Sequence, residues 1–129
     1  MTNSFYSVSH IENFFYKLLT DVSSHVFLGD LPARLDASWG EMIVIDVNNQ
    51  SDKGSHSFGS VNILVYSRPK GQYLVKNVAV QNKICNAIEE AIASSDNSHY
   101  TMSINWRATD YDSTRNLHCN VINISLLIT

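Results

Sequence analysis

The sequence predicts one α+β domain over residues 1–129, in the order helix, strand, strand, helix, strand, strand. The sheet is expected to be mainly antiparallel, with both helices packed on one face. Three observations carry this reading. Two segments repeat apolar residues at helical spacing, Ile11 to Val22 and Val80 to Ile92. Four segments alternate or run apolar over strand lengths, and polar turn residues separate them in pairs. Strands joined as hairpins with helices between the pairs give a layered sheet with helices on one side.

Ser9 and Glu12 have the spacing of a capping box, which predicts a first helix beginning there. Ile11, Phe14, Phe15, Leu18, Leu19 and Val22 form its apolar face, and Asn13, Lys17 and Asp21 lie opposite. Gly29-Asp30-Leu31-Pro32 breaks the pattern, and residues 34–40 read as an irregular connector anchored by Trp39. A strand is expected from Glu41 to Val47. Met42, Ile43, Val44 and Ile45 are apolar at both parities, so that strand should be central and covered on each side, by helices or by another subunit. A second strand is expected from Ser60 to Arg68, with Val61, Ile63 and Val65 facing away from Asn62, Leu64 and Tyr66.

Residues 48–59, NNQSDKGSHSFG, contain one large apolar side chain, Phe58. They read as a polar hairpin arm, longer than the two to five residues usual in such loops. Because the arm gains little by folding back, it is expected to reach a neighbouring subunit or a stacked ring instead of packing on its own domain, with Phe58 as an anchor and Lys53 and His56 as polar rim.

The second helix should span Asn77 to Ser94 with Asn77 as its cap. A third strand follows from His99 to Arg107, with Met102, Ile104 and Trp106 expected on one face. Asp110 to Asn116 turns the chain. The last strand, Leu117 to Ile128, changes apolar parity between Val121 and Ile122, which predicts a β-bulge there.

Composition narrows the function. With 129 residues, 44% of them hydrophobic, the chain can bury a single core without a metal or disulfide framework. Nine basic and twelve acidic side chains leave a net charge of −3, and no window holds the Lys/Arg cluster that tight, static binding of a phosphate backbone needs. Cys85 and Cys119 belong to no CxxC pair and read as core thiols. The N-terminal residues lack the pattern of a signal peptide and no segment has the length of a membrane span, which points to a cytoplasm.

None of His10, His25, His56, His99 and His118 has a second ligand at metal spacing on its own element. His118 and Cys119 are adjacent in a strand and so point to opposite faces, which rules out a side-chain dyad. Asp110 and Asp112 share a turn, where aspartate commonly accepts from local N–H groups. The phosphate-binding, serine-hydrolase and zinc-protease motifs are absent. No catalytic residue, metal or cofactor is expected, and the chain reads as a non-enzyme.

With these elements in order, the chain resembles the tail terminator or tail-completion (neck ring) proteins of long-tailed bacteriophages. The resemblance runs through the helix Ile11–Val22, the connector with Pro32, the strand Glu41–Val47 and the arm at 48–59. It continues through Val61 to Tyr66, the helix Asn77–Ser94 and the closing hairpin Tyr100–Trp106 and Leu117–Ile128. It implies a structural virion protein that forms a ring, hexameric in keeping with that family, capping the tail tube and joining it to the head and neck. Its partners would then be copies of itself and the tail-tube and neck proteins. DNA would only pass through the lumen, and no membrane is involved. The implied location is the tail or neck of the virion, with assembly in the host cytoplasm. Two alternatives stand beside it: another phage neck or tail-tube ring subunit, or a cytoplasmic small-molecule or protein-binding module with Trp39, Tyr66 or Trp106 lining a cleft.

Overall fold

The computed structural model describes residues 7–52, 57–71, 75–95, 97 and 99–128. Its elements are α1 (Val8–Leu19), β1 (Val26–Leu28), β2 (Glu41–Asp52), β3 (Ser57–Ser67), α2 (Val78–Ala93), β4 (Tyr100–Asp112) and β5 (Leu117–Ile128). The strands form one sheet in the order β1-β2-β3-β5-β4, antiparallel throughout except for the parallel β1–β2 pair. The fold is α+β as the sequence predicts, with one short strand added at the β1 edge.

Both helices lie on one face of the sheet. Ile11, Phe15 and Leu19 of α1 and Ile84, Cys85, Ile88 and Ile92 of α2 share a buried cluster with Ile43, Ile45, Val61, Ile63, Val65, Ile122, Ile124, Leu126 and Ile128. Burying that much aliphatic surface is the main stabilising term, roughly 1.5–3 kcal/mol for each fully buried large side chain. Helix α1 starts two residues before the expected capping box: Ser7 is the cap, its hydroxyl accepting from the His10 backbone N–H. Ser9 lies inside the helix. The α2 cap is Asn77, as expected, its side chain accepting from the Val80 N–H.

The second face of the sheet is half covered, and the cover belongs to the same chain. Leu31, Leu35 and Trp39 of the connector pack with Met42, Val44, Tyr66, Leu117 and Cys119. Arg68 fastens that connector by donating from Nε to the Trp39 carbonyl at 2.7 Å and from Nη2 to the Asp36 carbonyl at 3.0 Å. The two-sided apolar character of β2 therefore has its full explanation within one subunit.

The last strand is corrected. Strand β5 pairs with β3 without interruption from His118 to Ile128, so no bulge lies between Val121 and Ile122. The apparent change of parity arises because β5 feeds both clusters: Leu117 and Cys119 on the connector side, then Ile122, Ile124, Leu126 and Ile128 beneath the helices. The register shifts lie instead on β2, between Val47 and Asn49, and on β4, between Ile104 and Trp106. The second shift removes Trp106 from the expected common face with Met102 and Ile104. Met102 and Ile104 stand opposite Leu126 and Ile124, whereas Trp106 stands opposite Asn123, whose side chain is on the helix-free face.

Candidate functional site

The arm at 48–59 is a hairpin, but its strands run through it. Asn49, Gln50, Ser51 and Asp52 pair with Ser60, Gly59, Phe58 and Ser57. Residues Ser57 to Ser60 also pair with Ile128 to Ser125 of β5. The β3 half of the arm is thus part of the domain's own sheet, which corrects the expectation that it stands clear of the domain. The physical reason is the backbone ladder: polar residues complete a strand as readily as apolar ones when a neighbouring strand offers unpaired N–H and C=O groups. Ser57 is 1% exposed. A Cβ at Gly59 would stand 3.3 Å from Leu126 Cδ1, so the close approach of β3 and β5 there favours glycine.

Of the three residues expected at a partner interface, Phe58 is placed by the structure. It is 43% exposed on the helix-free face, beside Ser51 and Leu127. Lys53 and His56 lie outside the described residues.

Beyond Phe58, the uncovered half of the helix-free face carries a connected set of amide and hydroxyl side chains, with Asp46 beside Asn62 and exposed Trp106 beside Asn123. Asn123 Nδ2 donates to Asn62 Oδ1 at 2.7 Å and to Ser60 Oγ at 3.0 Å, and Asn105 Nδ2 donates to Asn123 Oδ1 at 3.3 Å. These bonds tie β4, β5 and β3 side by side.

The most exposed element is β4. After buried Tyr100, none of its residues to Asp112 is buried, and Ile104, Trp106 and Tyr111 are 39%, 46% and 47% exposed. Ile104 is therefore not a core residue. On the helix side, Arg107 Nη1 forms a 2.9 Å ion pair with Glu89 of α2, both about one-third exposed. The length of β4, with polar Ser103, Asn105 and Thr109 between its apolar residues at both parities, was the available sequence signal for an edge strand.

Side chains with chemical potential sit in settings that quiet them. Burial raises the Cys119 thiol to about 12, with a further upward push from Asp110. Burial raises Cys85 as well, and both cysteines are free. The Ser38 hydroxyl and backbone N–H hold the Asp36 carboxyl below its usual range. Asp110 and Asp112 end β4 and do not lie in the expected turn; Asp110 Oδ1 accepts from the Tyr111 N–H and Asp112 Oδ1 from the Arg115 N–H, so both aspartates serve local backbone. Among the described residues, no three His, Cys, Asp or Glu side chains come together as a metal site, and no helix is long and apolar enough to cross a membrane.

Grooves of about 470 and 430 Å³ run between α1 and α2 and between α2 and β4. Neither is lined by Trp39, Tyr66 or Trp106. Trp39 instead stacks on His25 with ring centres 5.0 Å apart and meets Phe27 at 5.5 Å, and Tyr66 is part of the second buried cluster.

No protein-family model matches the chain, and no curated protein matches it. Among solved structures, the fold is shared with a chain in the virion of a native gene transfer agent particle. The TM-score is 0.51 at 8% identity, over 88% of this chain and 90% of that one.

Proposed function

We propose that this chain is a structural subunit of a tailed, phage-like virion, and that within it the chain acts as a tail terminator: a ring that closes the tail tube and joins it to the neck. The observation that carries this reading is the fold shared with a gene transfer agent virion chain over nearly the full length of both. The element order and polarity that resemble tail terminators support the narrower assignment.

The surface suits such a part. An assembly subunit needs exposed apolar side chains on a firm scaffold, and Phe58, Ile104, Trp106 and Tyr111 are such residues, all on strands of one sheet. A passage for DNA works best without a cationic grip, which agrees with the net charge of −3. The role is non-enzymatic and needs no cofactor. Copies of this chain and tail-tube and neck proteins are its partners, in the tail or neck of the particle after assembly in the host cytoplasm.

The test is to add purified protein to tail tubes assembled without it and image them by negative stain. The terminator reading expects density at one end of each tube and an arrest of further tube growth. Tubes with bare ends that continue to elongate contradict it.

A further inference from the structure

Among the described residues, the sheet has two margins with no strand beyond them. Strand β4 is an edge strand of 13 residues that contains neither proline nor lysine, two of the usual guards against strand addition. At the opposite edge, β1 shields β2 only at Ile43, Val44 and Ile45. From Asp46 to Asp52, β2 has no strand on its outer side among the described residues.

Strand direction follows from the pairings. Strand β3 is antiparallel to β2 and to β5, and β4 is antiparallel to β5, so β4 runs opposite to β2. A second copy placed beside the first by rotation about an axis along the strands brings β4 against β2 as an antiparallel pair, with the helix layers on the same side. Antiparallel pairing is already the rule in this sheet, and it satisfies backbone groups that each free margin exposes.

The irregularities of the two margins flank one row. Val47, Val61, Ile124 and Ile104 form one cross-strand row. Next to that row, β2 carries the extra residue Asn48 at one margin and β4 carries the extra residue Asn105 at the other. A bulge on a free edge deters an arbitrary strand by bending the ladder. Cyclic symmetry keeps all copies at one height, so this row of one copy meets the same row of the next, with the Asn105 bulge on one side of it and the Asn48 bulge on the other. The partner best matched to each bent margin is therefore another copy of this chain.

We propose that the free margin of β4 pairs head-to-tail with the β2 margin beyond Ile45 in a second copy, making the sheet continuous from subunit to subunit. This inference rests on the ring reading above and specifies its contact. Such a contact is heterologous and closes when its rotation divides a full turn.

The test uses two lysine-blocked forms of the full chain: Trp106→Lys with Ala108→Lys on β4, and Asp46→Lys with Asn48→Lys on β2. Ala108→Lys alone is the milder β4 form, should the double substitution reduce folding in a thermal melt. Sedimentation velocity is run on wild type, on each form and on their equimolar mixture. The expected result is an assembled wild type, monomers for each form alone, and a two-copy species and nothing larger in the mixture, since each form retains the margin the other lacks. If both forms assemble like wild type, the margins are not the contact, although the ring reading survives. If only the β4 form is impaired, β4 pairs two-fold with itself and the head-to-tail contact is wrong. A wild type that is monomeric at every concentration removes both the ring reading and this contact.

Discussion

Asn120 on β5 donates its side-chain amide to Gln81 Oε1 on α2 across 2.9 Å, and both side chains are buried. The bond links elements 39 residues apart through the main interior and fixes how α2 lies along the sheet. The Gln81 Nε2 group is itself buried without a partner, so the polar contact is only half satisfied. Asn120→Ala should destabilise the fold by about 1–3 kcal/mol, because it also strands the Gln81 carbonyl. Pairing it with Gln81→Leu in a double-mutant cycle should recover much of that loss, measured by urea denaturation. Additive losses would show that the bond contributes no coupling.

Phe15 is fully buried in α1, and Ile104 is 39% exposed on the edge strand. Phe15→Ala should cost about 3–5 kcal/mol through lost transfer energy and the cavity left behind. Ile104→Ala should cost under about 1 kcal/mol, since little of its surroundings closes over it. Denaturant midpoints with unchanged slopes would measure both. Equal losses would contradict the placement of β4 at the margin.

That contrast marks where the sequence was legible. The α1 and α2 faces, the Asn77 cap and the alternation of Val61, Ile63 and Val65 follow from period and local chemistry, and the structure places them as the periodicity requires. The margins were hidden for a physical reason. Whether Ile104 is covered depends on how far α2 extends over β4, a tertiary matter with no local signature. Bulges are equally silent: one extra residue at Asn48 or Asn105 reverses the parity that follows, while β5, apolar on both faces, imitates a bulge it lacks. Strand β1 is only three residues long, too short for periodicity to announce. At the candidate interface, Phe58 stands out by composition, but its position within the sheet depends on long-range pairing with Leu127 of β5.

The buried Cys119 thiol predicts an alkaline limit to stability. Its folded value is raised from 9.0 to about 12, so the folded state holds the proton more tightly than the unfolded chain does. The resulting stability is complete below pH 9.0 and is lost as pH rises towards about 12. Tyr66, raised from 10.0 to about 12 by burial, adds a loss of the same sign. Melting temperatures should fall across this window, and Cys119→Ala should flatten the fall. In native protein at pH 8, a thiol reagent should react slowly with both cysteines and quickly after unfolding. Rapid native labelling would contradict the buried environment.

Residues 53–56 join Asp52 to Ser57, which are paired across the hairpin. Replacing those four residues by Asn-Gly suits a two-residue antiparallel connection. The variant should melt within about 2 °C of wild type, taking its cost as below about 0.5 kcal/mol for a surface change. If Lys53 and His56 form the rim of a partner contact, assembly should weaken together with that of Phe58→Ser. Unchanged assembly in both variants would make the hairpin a tolerated surface feature.

Closure of copies of this chain into a ring would set a fixed molar mass in solution. Light scattering coupled to size exclusion, run over a wide range of loading concentrations, should show a discrete species growing in with concentration. Its mass should be six times that of the chain, with no continuous ladder above it, because closure leaves no free margin. A single monomer mass at all concentrations, or open polymers without a limiting size, would exclude a closed ring.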